Sequence, residues 1–323
     1  MTEPWDTKKK KLLHQFLLLA ALTLLFLVGC SPLHAGTPSM VPASFLPEVT
    51  EHWGGGQDSA TALAPAPVNT VHADEEAIEG VTAAAYIVMD GSAGQVLAQY
   101  NADVRRSPAS LTKIMTALLV IERSNLDSIA TVPEAITTLR ASTLRGLTPG
   151  EHIPVRDVLY GLMLPSGNDA AITLATHIAG TESTFVDRMN AKAKALGLTN
   201  THFTNSHGLD FREWGSPYSS ARDLAELTRV AMGNAIFRDV VAARSFISRG
   251  GDQGPYLLVN FNTLLSSYRG ANGVKIGYTR RAGHSIVASA SRDGVWLIAV
   301  VLGSDQRDVD AALLLDDGFN KSR

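Results

Sequence analysis

The pattern that most constrains this chain lies between about residue 80 and the C-terminus, where strand-like runs at both ends enclose a long helical middle. Ala84-Ala85-Tyr86-Ile87-Val88-Met89 is apolar along its length, as a buried strand requires. Asp90-Gly91-Ser92 supplies a turn, and Val96-Leu97-Ala98-Gln99-Tyr100 returns as a second strand. Near the end, Tyr256 to Val259, Gly273 to Tyr278, Ser285 to Ala290 and Val295 to Leu302 also read as strands, the last two joined through Asp293-Gly294. A helix over Arg307 to Phe319 follows. Strands at both ends around a helical middle predict an α+β fold: one mostly antiparallel sheet flanked by helices, with an all-helical lobe inserted.

Within the middle, about residues 130 to 250, apolar positions recur at helical spacing. Val155, Val158, Leu159, Leu162 and Met163 form one stripe that stops at Pro165, and a second helix starts after Asn168 and runs through Ala179. Ser166-Gly167-Asn168 is then a tight loop between two helices. Further helices are expected over 184–196, ended by Gly197, and over 221–232, capped by Ser219 or Ser220. Upstream, Pro108 sits where a helix begins, and Leu111, Ile114, Met115, Leu118 and Leu119 follow at helical spacing, which puts Ser110 in the first turn.

The first 79 residues have a different character. Four lysines, Lys8 to Lys11, precede an apolar stretch from Phe16 to Val28, the charged and hydrophobic regions of an export signal, too short for a comfortable membrane span. Leu27-Val28-Gly29-Cys30 has the form of a bacterial lipobox, whose cysteine would carry the lipid that anchors the exported chain to a membrane. Cleavage after Ala35, or an uncleaved signal used as the anchor, are the alternatives. Cys30 is the single cysteine, so an intrachain disulfide and a thiolate metal cluster are excluded. Residues 31–79 hold six of the 14 prolines and Gly54-Gly55-Gly56 without a sustained period, which reads as a flexible tether reaching roughly 40 Å by random-coil scaling. The chain thus divides into a signal segment (1–30), a tether (31–79) and a catalytic domain (80–323). A net charge of -3 lacks the basic excess of a nucleic-acid binder.

The chemistry is carried by Ser110-Leu111-Thr112-Lys113, an S-x-x-K at a predicted helix start. Three residues make nearly one helical turn, so the hydroxyl and the amine share a face. A serine becomes a nucleophile when a base takes its proton, and a lysine can do so when burial and nearby cations keep it neutral. Alone this motif is common by chance. Its weight comes from order: Ser166-Gly167-Asn168 follows on an interhelical loop and Lys275-Ile276-Gly277 on a late strand, the S-x-x-K, S-x-N, K-x-G order of penicillin-interactive serine enzymes.

Longer stretches agree. Ser107 to Thr116, Gly161 to Ala171, Phe203-Thr204-Asn205-Ser206-His207-Gly208-Leu209 and Gly273 to Thr279 resemble the low-molecular-mass penicillin-binding D-alanyl-D-alanine carboxypeptidases, the S11 serine peptidases, over about residues 80 to 320. The resemblance implies the penicillin-binding protein and β-lactamase type of transpeptidase fold. It implies that Ser110 forms an acyl-ester with peptidoglycan stem peptides and is trapped covalently by β-lactams, with Lys113 accepting its proton. Ser166 would relay protons, Asn168 would hold the substrate's peptide amide, and Lys275 would face the terminal D-alanine carboxylate. Gly277 and Thr279 would belong to the strand the substrate pairs with, and the Ser110 N–H and one from Tyr278 or Thr279 would form the oxyanion hole. No metal or organic cofactor is implied.

Two departures stand out. Relatives usually have threonine where this chain has Ile276, so one hydroxyl toward the substrate carboxylate is missing, a loss of about 1.5 to 3 kcal/mol unless Ser166, Thr279 or water substitutes. The chain also stops at Arg323, without the further β-rich domain and C-terminal anchor many carboxypeptidases carry. Members lacking that domain include D,D-endopeptidases, so cleavage of crosslinks stays open, as does a catalytically weakened wall- or β-lactam-binding protein. A Ser-His-Asp hydrolase is disfavoured because Gly-x-Ser-x-Gly does not occur, and His207 with Asp210 does not make a metallopeptidase site; His207 is read as structural.

Overall fold

The computed structural model describes residues 77–139, 146–211 and 215–322. The signal segment, Cys30 and nearly all of the predicted tether lie outside the described residues. In chain order the elements are β1 (Ala85–Asp90), β2 (Val96–Tyr100), α1 (Lys113–Arg123), β3 (Ile129–Thr131), β4 (His152–Pro154), α2 (Val155–Met163), α3 (Asn168–Ala179), α4 (Glu182–Ala195), α5 (Ala221–Met232) and α6 (Ala235–Ala242). They continue as β5 (Ser245–Ser248), β6 (Tyr256–Val259), α7 (Leu264–Ser267), β7 (Ala271–Thr279), β8 (Gly283–Arg292), β9 (Val295–Ser304) and α8 (Arg307–Lys321).

Five strands form one antiparallel sheet in the order β2-β1-β9-β8-β7. The opening strand therefore inserts beside the closing one, with Ile87 opposite Val300 and Val88 opposite Ala299. Both faces are covered. Ile87, Val287, Ile298 and Val300 join the core under the helical lobe, while Val88, Ile286, Ala299 and Val301 join a second core beneath α8. Two buried faces explain why these strands read as continuous apolar runs rather than alternating ones. The β8–β9 turn places Asp293 (φ 50°) and Gly294 (φ 84°) in the left-handed region that a tight two-residue hairpin requires.

The helical lobe starts from α1, whose residues Lys113 to Val120 are buried on every side, as a central helix must be. Local signals fix the neighbouring termini. Thr181 caps α4 by accepting from the Thr184 N–H at 3.1 Å, and Gly197 (φ 73°) follows its end. Ser220 rather than Ser219 caps α5, accepting from the Asp223 N–H at 3.1 Å, whereas the Ser219 hydroxyl pairs with Thr201 at 2.8 Å.

The middle is less purely helical than its periodicity predicts, because β3 and β4, well separated in the chain, pair as a short antiparallel two-stranded sheet. The strand expected at Tyr256–Val259 is present, but it pairs with β5 in a separate two-stranded sheet instead of joining the main one. Packing explains the location. Phe246 of β5 stacks on Tyr160 of α2 with ring centroids 3.7 Å apart, and buried Asp157 accepts from the Ser248 hydroxyl at 2.6 Å, so the hairpin is bound to the helical lobe. Among the described residues no helix is long and apolar enough to cross a membrane.

Candidate active site

Ser110 lies in a 3₁₀ turn, Ala109–Thr112, that precedes α1, rather than in a first α-turn. The reason is tertiary. Buried Ala109 adopts φ 47°, held between Gly208, where an added Cβ would overlap the Ala109 carbonyl oxygen, and Gly277, where one would lie 3.2 Å from Ser110 N. A 3₁₀ turn has three residues per turn, so positions i and i+3 eclipse. That geometry brings Lys113 Nζ to 3.1 Å from Ser110 Oγ.

Lys113 is fully buried, and its Nζ also donates to Asn168 Oδ1 at 2.7 Å and to the His207 carbonyl at 2.8 Å. Burial, together with the positive charge of Lys275, holds its proton affinity well below the ordinary lysine value, against a smaller opposing pull from Asp169. Asn168 Oδ1 and the His207 carbonyl can only accept. In the neutral amine they engage both remaining N–H groups and leave the lone pair for the Ser110 hydroxyl, the arrangement a general base needs.

The S-x-N loop closes one side. Ser166 is buried with φ 66°, and Asn168 begins α3. Asp169 accepts from the Gly146 and Leu147 N–H groups, each at 3.0 Å, tying that loop to the next. On the other side β7 is an edge strand carrying Lys275, Gly277 and Thr279 against the Ser110 turn. Lys275 Nζ donates to the Ile276 carbonyl at 3.2 Å, and burial plus the charge of Arg307 push its pKa down to about 7. Ile276 faces the opposite way and packs against the core beneath α8. The Thr279 hydroxyl donates its one proton to Asp210 at 2.7 Å, so it does not replace the donor missing at Ile276.

Several contributors escape a reading by motif. His207 acts on Lys113 through its backbone carbonyl, while its ring Nδ1 accepts from the Leu209 N–H at 3.1 Å and burial with the Lys113 charge lowers its pKa to about 3. The ring is therefore neutral. Asp210 joins the Ser107 hydroxyl (2.6 Å) to that of Thr279, linking the segment that carries Ser110 to the end of β7. Arg307, from the start of α8, donates to the Gly277 carbonyl at 3.2 Å. The Phe203–Leu209 stretch was the available signal for the first; Arg307 has none in local sequence.

A buried lysine aimed at a serine beside an edge strand, on a five-stranded sheet with a helical lobe, defines a penicillin-binding, active-site serine fold. The profile of the S11 peptidases, D-alanyl-D-alanine carboxypeptidase, matches residues 69–306. The chain is 36% identical to D-alanyl-D-alanine carboxypeptidase DacA of Escherichia coli over 286 residues, 80% of this chain and 68% of that protein. It is 39% identical to DacB2 of Mycobacterium tuberculosis over 240 residues, 72% of this chain and 81% of that protein. A solved Streptomyces D,D-transpeptidase aligns with TM-score 0.70 at 36% identity, across 76% of this chain and 100% of that one. The chain belongs to the D-alanyl-D-alanine carboxypeptidase family of serine peptidases.

Proposed function

We propose that this chain is a serine-type D-alanyl-D-alanine carboxypeptidase acting on peptidoglycan stem peptides. The observation that carries the reading is the contact of Lys113 Nζ with Ser110 Oγ at 3.1 Å, made by a fully buried lysine of lowered proton affinity. Lys113 takes the hydroxyl proton, Ser110 Oγ bonds to the carbonyl of the penultimate D-alanine, and the C–N bond breaks to release the terminal D-alanine as its amine gains a proton. Water then cleaves the ester and restores Ser110. Ser166 relays protons, Asn168 holds the substrate amide, and Lys275 meets the terminal carboxylate, while Gly277 and Thr279 belong to the edge with which the substrate pairs. The oxyanion lies between the Ser110 N–H and that of Tyr278 or Thr279. A β-lactam enters the same reaction and stays on Ser110.

In this reading the N-terminal segment exports the chain and Cys30 anchors it through a lipid, with residues 31–79 as the tether to a catalytic domain that begins near residue 80. The lipobox form of Leu27 to Cys30 supports the anchor. The deciding test is intact mass after incubation with penicillin, peptide mapping of the adduct, and assay of D-alanine release. An adduct on Ser110, lost in Ser110→Ala, with D-alanine release is expected; labelling retained in that variant overturns the assignment. For the anchor, a free Cys30 thiol on chain purified from membranes rules out lipidation.

A further inference from the structure

The turn between β7 and β8 carries two adjacent arginines, Arg280 and Arg281, and both are exposed. Elsewhere on the surface Arg222, Arg229 and Arg292 each meet a carboxylate at 2.7 to 2.9 Å. Among the described residues Arg280 and Arg281 meet none; Arg281 Nη1 donates instead to the Ser216 hydroxyl at 3.0 Å. Two neighbouring guanidinium charges without a carboxylate repel each other, and together they draw an anion. The turn beneath them is held in shape. The Ala282 N–H donates to the Thr279 hydroxyl at 3.0 Å and Ala282 is buried, so the two arginines are the part of the turn presented to solvent.

The strand sets where this charge stands. Thr279 is the last residue of β7, at the edge of the sheet, and pairs with Gly283 of β8, so the turn begins where the edge beside Ser110 ends. At that end Thr279 reaches Asp210 and Arg281 reaches Ser216. Tyr278 alternates onto the other side of the strand, 55% exposed, with its ring centroid 4.6 Å from that of His284. In the function proposed above, the substrate's terminal carboxylate meets Lys275, and its penultimate carbonyl lies between the Ser110 N–H and that of Tyr278 or Thr279. Such a peptide runs antiparallel to β7. Strand residues advance by about 3.4 Å each, so the residue before the D-alanine pair passes Thr279 and enters the field of Arg280 and Arg281.

We propose that Arg280 and Arg281 form an anion subsite that selects stem peptides whose residue before the D-alanine pair carries a free side-chain carboxylate. The inference rests on the Ser110 acyl-enzyme reading and adds to it the charge of the preferred stem. A guanidinium presents paired N–H donors that match the two oxygens of a carboxylate. A carboxamide in its place offers one neutral oxygen and sets an NH₂ group against those donors, so amidated stems are held less well. The exposed Tyr278 ring gives the aliphatic part of the same side chain a flat apolar surface. Because the subsite lies away from the bonds that change, it holds ground state and transition state alike. Its effect therefore falls on KM rather than on kcat.

The test compares the full chain with Arg280→Gln and with the double variant Arg280→Gln/Arg281→Gln. The substrates are two pentapeptide stems ending in D-alanyl-D-alanine that differ only in the preceding side chain, a carboxylate in one and its carboxamide in the other. In the wild-type enzyme kcat/KM for D-alanine release should be about fivefold higher on the carboxylate stem, the scale of two exposed charge contacts, and the preference should shrink as salt rises. The double variant should lose the preference through KM, with the single variant between. Its kcat, its rate on the carboxamide stem and its penicillin acylation should stay within about twofold. Equal rates on the two stems in the wild-type enzyme, a preference that the double variant keeps, or a fall in kcat on both stems overturns the proposal. Binding of long-chain polyphosphate that the double variant abolishes while both stems are cleaved as before overturns it too, and gives the turn to a phosphate polymer. A wild-type enzyme that neither releases D-alanine nor forms a penicillin adduct brings down the carboxypeptidase reading itself, an outcome distinguishable from all the others.

Discussion

Replacing Lys275 by methionine should stabilise the fold while weakening the chemistry. Methionine keeps a flexible stem of similar bulk without the amine. In the folded chain burial and Arg307 lower the Lys275 pKa from 10.5 to about 7, whereas in the unfolded chain the amine keeps its ordinary value. Between about pH 7 and 10.5 the unfolded chain thus binds the extra proton, so this lysine makes stability rise with pH across that window. The cost of folding with a neutral lysine is about 1.4 kcal/mol for each pH unit below 10.5: about 3 kcal/mol at pH 8 and about 1 kcal/mol at pH 9.5. Loss of the bond to the Ile276 carbonyl offsets about 1 kcal/mol, leaving a net gain of about 2 kcal/mol at pH 8 that vanishes near pH 9.5. Urea unfolding of both proteins at several pH values reads this directly, since other titrating groups cancel in the difference. Penicillin acylation should slow in the variant. The reasoning fails if the variant is less stable at pH 8, or if the gap between the two curves does not narrow as pH rises.

Gly208→Ala should lose penicillin acylation and at least about 2 kcal/mol of stability, because Gly208 has φ 88° and an added methyl group would meet the Ala109 carbonyl oxygen; thermal melts and adduct mass check it. Asp210→Asn replaces a carboxylate that accepts from Ser107 and Thr279, and should lower the acylation rate about tenfold with about 1 to 3 kcal/mol lost in stability. Ile276→Thr puts its hydroxyl on the face that packs against the core beneath α8, so the second-order rate of penicillin acylation, followed by adduct mass over time, should stay within about twofold while roughly 1 kcal/mol of stability is lost.

What the sequence made legible follows from which contacts are local. The S-x-x-K pair is set by three-residue spacing, so Ser110 and Lys113 could be named before any fold was known. The strands of the main sheet announce themselves because burial on both faces demands unbroken apolar runs such as Tyr86 to Met89. Tyr256–Val259 is equally apolar, but four residues do not state their partner; Phe246 on Tyr160 and Ser248 on Asp157 decide that it pairs with β5. The 3₁₀ turn at Ala109–Thr112 was illegible for a similar reason, since Gly208 and Gly277 impose it from distant parts of the chain. Arg307 and Asp210 reach the site only after α8 and the Phe203–Leu209 loop have docked.

The same cations that make the resting site costly explain how it can be responsive. Burial first and then the positive charge of Lys275 lower the proton affinity of Lys113, and burial first and then Arg307 lower that of Lys275, so below about pH 7, where Lys275 is charged, positive charge accumulates on the side where a substrate carboxylate would dock. A carboxylate arriving beside Lys275 cancels part of that field. In the function proposed above, the proton affinity of Lys113 would then rise as the Ser110 proton is taken, and with Asn168 and the His207 carbonyl accepting its other N–H groups, the neutral amine would turn its lone pair to the Ser110 hydroxyl 3.1 Å away. A fixed carboxylate strong enough to outweigh burial and Lys275, as the smaller pull of Asp169 does not, would raise the affinity of Lys113 permanently and leave it protonated in the resting enzyme. In the function proposed above, a negative charge supplied by the substrate would couple binding to deprotonation of Ser110, a reason to keep buried lysines that a fold selected for stability alone would replace with apolar side chains.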